Sequence, residues 1–161
     1  MESKNANAEM DKKVMSYRKF LMMLVISFII MYIIMFLNID RLDHYHTSVT
    51  RIYMALLMVA PMAIVMILMM RKMYPSRKIN TTIIIVAIIV FGLALTGLRT
   101  QTPIGDVQYM KAMIPHHSSA IMVSKHADIK DPQVKKLSEQ IIQSQKKEIA
   151  EMESYLRRLK Q

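Results

Sequence analysis

The chain has 161 residues, 53% of them hydrophobic, a formal net charge of +10 and no cysteine. The missing cysteine excludes a disulfide framework, a zinc ribbon and a thiolate nucleophile, so a soft metal would have to be held by the 18 Met and 5 His, with carboxylates in support. The positive charge flanks apolar runs, where membrane orientation accounts for it. No basic patch interleaved with aromatic residues occurs, so nucleic acid is not an expected partner.

Residues 1–19 are polar and mixed in charge, and are read as a frayed cytoplasmic tail. From Phe20 to Leu37 runs an uncharged segment of 18 residues, long enough to cross a bilayer core. Its length, and the lack of a small-residue cleavage site after it, argue against a signal peptide. Two further apolar runs follow, Ile52 to Met70 and Ile79 to Leu98, giving a three-helix transmembrane region over 20–98 (20–37, 52–70, 79–98). The connections are short, so the three helices are expected to pack as up-down neighbours.

Orientation follows from Lys and Arg. The tail carries Lys4, Lys12, Lys13, Arg18 and Lys19, the first loop only Arg41 and Arg51, and the second loop Arg71, Lys72, Arg77 and Lys78. The positive-inside rule places the tail and the second loop in the cytoplasm, and everything after Leu98 outside. The expected setting is the lipid bilayer of a bacterial inner membrane, with the C-terminal part periplasmic. Tyr32, Tyr53 and Tyr74 are read as interface anchors, Pro61 as a mid-helix proline that frees the Leu57 carbonyl, and Gly92 with Thr96 as a small-xxx-small packing pair.

The segment 104–160 reads as an antiparallel helical hairpin, so the whole chain is all-α. After Pro103-Ile104-Gly105, Asp106 is the expected N-cap of a helix over 106–127. Asp128-Ile129-Lys130 forms the turn. Asp131 caps a second helix over 132–160 with Pro132 at its first position. At about 100° per residue, one face of the first helix collects Asp106, Met110, Met113, His117, Ala120, Ile121 and Ser124. His116 lies to one side of that face, and Met122 and His126 point the other way. The second helix carries the stripe Val134, Leu137, Ile141, Gln145, Glu148, Ile149, Met152, Leu156 and Leu159, apolar but for two residues. Antiparallel pairing sets Gln145 level with Met113 and His117, Glu148 with Met110, and Met152 with Asp106. A lone two-helix hairpin leaves apolar faces uncovered, so pairing with a second copy, or docking on the membrane helices, is expected.

Met110, Met113, His116 and His117 offer two thioethers and two imidazoles within eight residues, a donor set suited to copper(I) or silver(I). Each also has a plainer reading: the Met residues as core filler, His117 as a core histidine bonded to Gln145 or Glu148, and His116 as a surface residue. A di-iron site needs Glu three residues before a histidine, and Met113 and Ile114 stand there instead. Neighbouring Ser118 and Ser119 point about 100° away from the adjacent His residues, and no Ser-His-Asp or Cys-His arrangement is visible. His44 and His46 in the outer loop, and Met122 and His126 beyond the motif, are weaker candidate ligands. Met54, Met58, Met62, Met66 and Met70 recur every fourth residue on the second span, as a metal path or as lipid-facing and packing surface.

The segment from Asp106 to Ala120, DVQYMKAMIPHHSSA, resembles the signature of the domain-of-unknown-function 305 family. The DPQV start at Asp131 and QKKEIAEM from Gln145 to Met152 are similar to its second helix. The resemblance covers residues 104 to about 159. It implies a ferritin-like helical fold, export, and in some members periplasmic copper binding. Carried over by position, the family's polar and sulfur signature falls on Asp106, Met110, Met113, His116, His117, Gln145, Glu148 and Met152. Tyr109 stands where Phe is usual, and Val123 stands where a Met often follows the His pair. Many members carry two hairpin repeats, whereas this chain has one, which strengthens the expectation of a homo-oligomer.

The expected function is therefore extracytoplasmic binding of copper, as Cu(I) or Cu(II), or of silver, by a membrane-anchored Met/His site. It would serve sequestration or handover to a copper transporter or other metal-handling protein, without catalysis. The alternatives are a structural or interaction module with no metal role and, third, a metal-dependent redox enzyme.

Overall fold

The computed structural model describes residues 2–159, with side chains from Tyr17 to Leu159. Lys4, Lys12 and Lys13 of the basic tail lie outside the described side chains, and Lys160 outside the described residues. The chain is all-α, as expected. It comprises α1 (Glu2–Ile34), α2 (Val49–Met69), α3 (Arg77–Thr100), α4 (Asp106–His126) and α5 (Pro132–Leu159), with a one-turn 3-10 helix at Leu42–His44. No strand occurs among the described residues. The polar tail and the first apolar run belong to one helix, α1, whose sequence holds neither Gly nor Pro to interrupt it. Three helical stretches, Tyr17–Ile34, Val49–Met69 and Arg77–Thr100, are long and apolar enough to cross a membrane.

The chain divides into two compact units. The first comprises residues 1–32 and 53–100. Its buried cluster is Phe20, Ala60, Ala63, Ile67, Tyr74 and Ala87, drawn from α1, α2, the second connection and α3. Alanines at the contact let helix backbones approach closely. Large apolar side chains such as Leu21 and Leu93 stay exposed, at 62% and 68%, which suits an apolar surrounding. Tyr74 is not an interface anchor. It is 1% exposed, and its ring lies 5.4 Å from those of Tyr17 and Phe20, because the turn folds it back over the bundle end. The methionine row winds around the helix, since a spacing of four drifts: Met54 and Met58 are exposed, while Met66 and Met70 pack on the core.

The close approach on α3 falls at Gly97 rather than at Gly92. A Cβ at Gly97 would stand 2.7 Å from Cζ of Tyr53, whereas one at Gly92 would meet nothing within 4 Å. Gly97→Val is therefore expected to destabilise the full chain by about 1–3 kcal/mol through overpacking. Gly92→Ala should be neutral or slightly stabilising. Thermal melts in detergent check both, and equal effects at the two glycines would refute the contact.

The second unit comprises residues 33–52 and 101–161. Here α4 and α5 form the hairpin. Oδ1 of Asp131 accepts hydrogen bonds from the backbone N–H of Gln133 and Val134 at 2.8 and 3.0 Å, capping α5 as the Asp-Pro start predicts. The α4 cap differs from expectation. Gly105 occupies the cap position with no side-chain bond, and Asp106 sits in the first turn, where its charge suits the helix dipole. The core between the helices is Met110, Ile114, Ile121, Ile149 and Leu156, flanked by Val107, Ile142 and Met152. The inward face of α4 is thus centred on Ile114, which is fully buried, and not on Met113 and His117, which border it. The cause lies on the other flank of α4, where Pro115 and Ser118 are also buried. The helix must satisfy two neighbours, and its orientation is the compromise.

That second neighbour is the segment 38–48. The hydroxyl oxygen of Ser118 accepts the Asp40 backbone N–H at 2.8 Å and lies 2.8 Å from Nδ1 of His44. Nδ2 of Asn38 donates to Oγ of Ser119 at 2.7 Å. Nζ of Lys125 holds both carboxylate oxygens of Asp40 at 2.6 and 2.7 Å, and Oε1 of Gln108 accepts the Val49 N–H at 3.2 Å.

Candidate functional site

His117 is the one member of the His pair drawn inward. Its side chain is 13% exposed, and Nδ1 stands 3.1 Å from Oε2 of Glu148 on the facing helix. The ring geometry is not aligned for a hydrogen bond along that line, so Nδ1 is buried without a true hydrogen-bond partner. Burial pushes the imidazole pKa below its ordinary 6.5, with His116 adding to the depression and Glu148 opposing it. At neutral pH the ring is therefore uncharged and retains a lone pair. Glu148 is itself oriented by the Ser144 hydroxyl, which donates to Oε1 at 2.6 Å. Of Gln145 and Glu148, the two partners the sequence left open for His117, the structure sets Glu148 beside the ring without a hydrogen bond. The expected levels shift accordingly, because Glu148 meets His117 rather than Met110.

One helical turn and more toward the open end of the hairpin, Met110 and Met152 share a cavity of about 320 Å³ with Asp106. Their pairing agrees with the expected register of Met152 and Asp106. Met110 is buried, Met113, Gln145 and Met152 are half-buried, and Asp106 is exposed. His116 is exposed, with its ring centre 6.1 Å from that of His117. Adjacent residues on a helix diverge by about 100°, which keeps His116 off the face that holds His117. Among the described residues, no three His, Asp or Glu side chains gather as a metal site would need. A site built here must therefore draw on thioethers.

Of the weaker candidates, His126 and His44 have contacts within the protein. His126 is exposed, and its Nδ1 lies 2.9 Å from the Met122 carbonyl one turn back on the same helix. Met122 is half-buried. His44 is 7% exposed and anchored on Ser118, and His46 is half-buried. Ser118, His44 and Asp43 do come together in space, an arrangement invisible in the sequence because 74 residues separate Ser118 from His44. It lacks what a nucleophile requires: Ser118 is 0% exposed, its oxygen is occupied by the Asp40 N–H, and Asp43 stands 3.9 Å from Nε2. Ser118, Ser119, Asp40 and Lys125 were missed as structural determinants. The only signal was the polar pair directly after the two histidines.

A profile described as Domain of unknown function (DUF305) matches residues 93–161. A curated relative, an uncharacterized protein of Acanthamoeba polyphaga mimivirus, is 37% identical over 139 residues, covering 84% of this chain and 90% of the relative. The chain belongs to one family with this relative, and its residues 93–161 match DUF305. The likeness to the viral relative reaches well upstream of the DUF305 match, since 139 residues do not fit within 93–161. The apolar helices are therefore part of what is shared. No solved structure matches this chain.

Proposed function

We propose that this protein is a membrane-anchored binder of a soft metal ion, Cu(I) or Ag(I), held on the open face of its C-terminal hairpin for sequestration or handover to a metal-handling protein. One observation carries the reading: His117 presents a neutral imidazole whose Nδ1 is buried, lies beside Glu148 and has no hydrogen bond. A buried polar atom without a hydrogen bond costs free energy, and the neutral ring keeps one lone pair that a metal ion would use. Thioethers on the same helix pair, Met110, Met113 and Met152, supply soft donors that an oxygen-seeking ion would not use. Glu148 would offset the positive charge.

In this reading the three apolar helices span the bilayer, and Lys and Arg place the hairpin on the extracytoplasmic side. A second copy completes the bundle, because α5 leaves Val134, Leu137 and Leu159 about half exposed on the flank bearing Glu148. Those exposed residues equally favour a rival reading, an interaction module in which the Met/His face is only packing.

The test is a competition titration of the full chain, in detergent, with Cu(I) against a chromophoric chelator. Saturable binding that disappears when Met113, His116 and His117 are all changed to Ala supports the metal reading. Undiminished binding places the metal elsewhere, and no binding by the parent leaves the interaction module.

A further inference from the structure

The connection between α2 and α3 encloses a cavity of about 440 Å³ in the first unit, far in sequence from the hairpin. Its lining is mixed. Arg71, Arg77 and Thr81 supply polar side chains, and Ile67, Leu68 and Ile84 apolar ones. Asn80, also in the lining, is held in place: its Oδ1 accepts the Tyr17 hydroxyl at 2.8 Å, and its Nδ2 donates to the Tyr74 carbonyl at 2.7 Å.

The charges on this connection are all positive. Arg71, Lys72, Arg77 and Lys78 fall within eight residues, and no Asp or Glu occurs anywhere between Asp43 and Asp106. Among the described residues, neither Arg71 nor Arg77 forms an ion pair with a carboxylate. Two guanidinium groups lining one cavity can bond a phosphate through paired N–H donors. Apolar side chains in the same lining suit the start of an acyl chain. Basic pockets between membrane helices bind anionic headgroups for this reason.

We infer that this cavity is a binding site for the headgroup of an anionic phospholipid, with its phosphate on Arg71 and Arg77 and its first acyl carbons against Leu68 and Ile84. The site rests on the reading that the three helices span a bilayer. It does not depend on the metal at the hairpin, so the failure of either leaves the other standing.

Purified, delipidated full chain in neutral detergent is titrated with dioleoylphosphatidylglycerol, with dioleoylphosphatidylcholine and with inorganic phosphate, and bound lipid is counted by native mass spectrometry. Phosphatidylglycerol is expected to bind at least tenfold more tightly than phosphatidylcholine. Arg71→Gln with Arg77→Gln should remove at least tenfold of that affinity. Lys72→Gln with Lys78→Gln removes the same charge outside the cavity lining and should change it less than twofold. Equal loss in the two double variants would mean diffuse attraction and overturn the site, as would equal binding of the two lipids. Inorganic phosphate binding as tightly as phosphatidylglycerol would overturn the lipid and leave a free anion. Should the double Arg variant fail to fold, the single variants Arg71→Gln and Arg77→Gln decide: each should lose about threefold, and no loss in either overturns the site.

Discussion

His117→Ala in the full chain is expected to weaken Cu(I) binding by about a hundredfold or more, equivalent to about 2.8 kcal/mol. The stability of the metal-free protein should change by less than about 1 kcal/mol. The two effects separate because His117 borders the hairpin core without belonging to it. Its Nδ1 has no hydrogen bond to lose, and the packing is carried by Met110, Ile114 and Ile121. Met113→Ala should behave similarly, with a smaller loss of affinity, since Met113 is only half-buried. His116→Ala should leave the affinity of a single hairpin nearly unchanged. A variant at His117 that binds copper as well as the parent would refute the site, whatever happens to its melting temperature.

The same histidine sets a pH dependence. Its folded-state pKa lies below the ordinary 6.5 because burial disfavours the charged ring. As pH falls, the unfolded chain takes up this proton first, so stability is fully present above about pH 6.5 and declines below it as the folded ring resists protonation. Copper affinity should fall over the same acidic range, because the proton and the metal compete for one lone pair. His117→Gln should flatten the stability profile between pH 5 and 7. An unchanged slope in that variant would assign the dependence to another group.

Ser118→Ala is expected to destabilise the second unit by about 2–4 kcal/mol. The hydroxyl is buried and serves two partners at once, the Asp40 N–H and the His44 ring, each at 2.8 Å. Removing it leaves both without that partner, and each unsatisfied buried polar group costs about 1–3 kcal/mol. The Lys125 to Asp40 pair, with the Asn38 to Ser119 and Val49 to Gln108 bonds at its ends, would then hold the segment. Hydrogen exchange across residues 38–48 should rise sharply while exchange in α5 stays slow. A melt unchanged by Ser118→Ala would show that the loop is not held at this point. Because the hairpin and this loop share buried hydrogen bonds, metal titrations belong on the full chain and not on an excised hairpin.

Helical order was legible because its signals are local. Uncharged runs of 18 or more residues, the Asp-Pro start of α5 and the short Asp-Ile-Lys turn each report on a few neighbouring residues. The site was legible as a set of donors but not as an arrangement. Periodicity identifies an apolar arc on α4, but its centre depends on how many surfaces the helix must meet. A reading from α4 and α5 alone centred it on His117. The loop docked on Ser118 adds a second buried flank, and the true centre is Ile114. Gly97 shows the same limit on α3, since nothing in the small-residue spacing reveals that Tyr53 is the side chain pressed against it.

By itself, then, the sequence determined the three apolar helices, the hairpin that follows them and the presence of Met and His donors within one helix turn of each other, because composition and helical period are properties of adjacent residues. Only the tertiary structure decided that Glu148 and not Gln145 stands beside His117, that the His44 ring rests on Ser118, and that Arg71 and Arg77 share one cavity. These depend on contacts between segments distant in the chain, whose register is settled by burying the most apolar area and pairing the most polar groups together, a balance that no single helix carries.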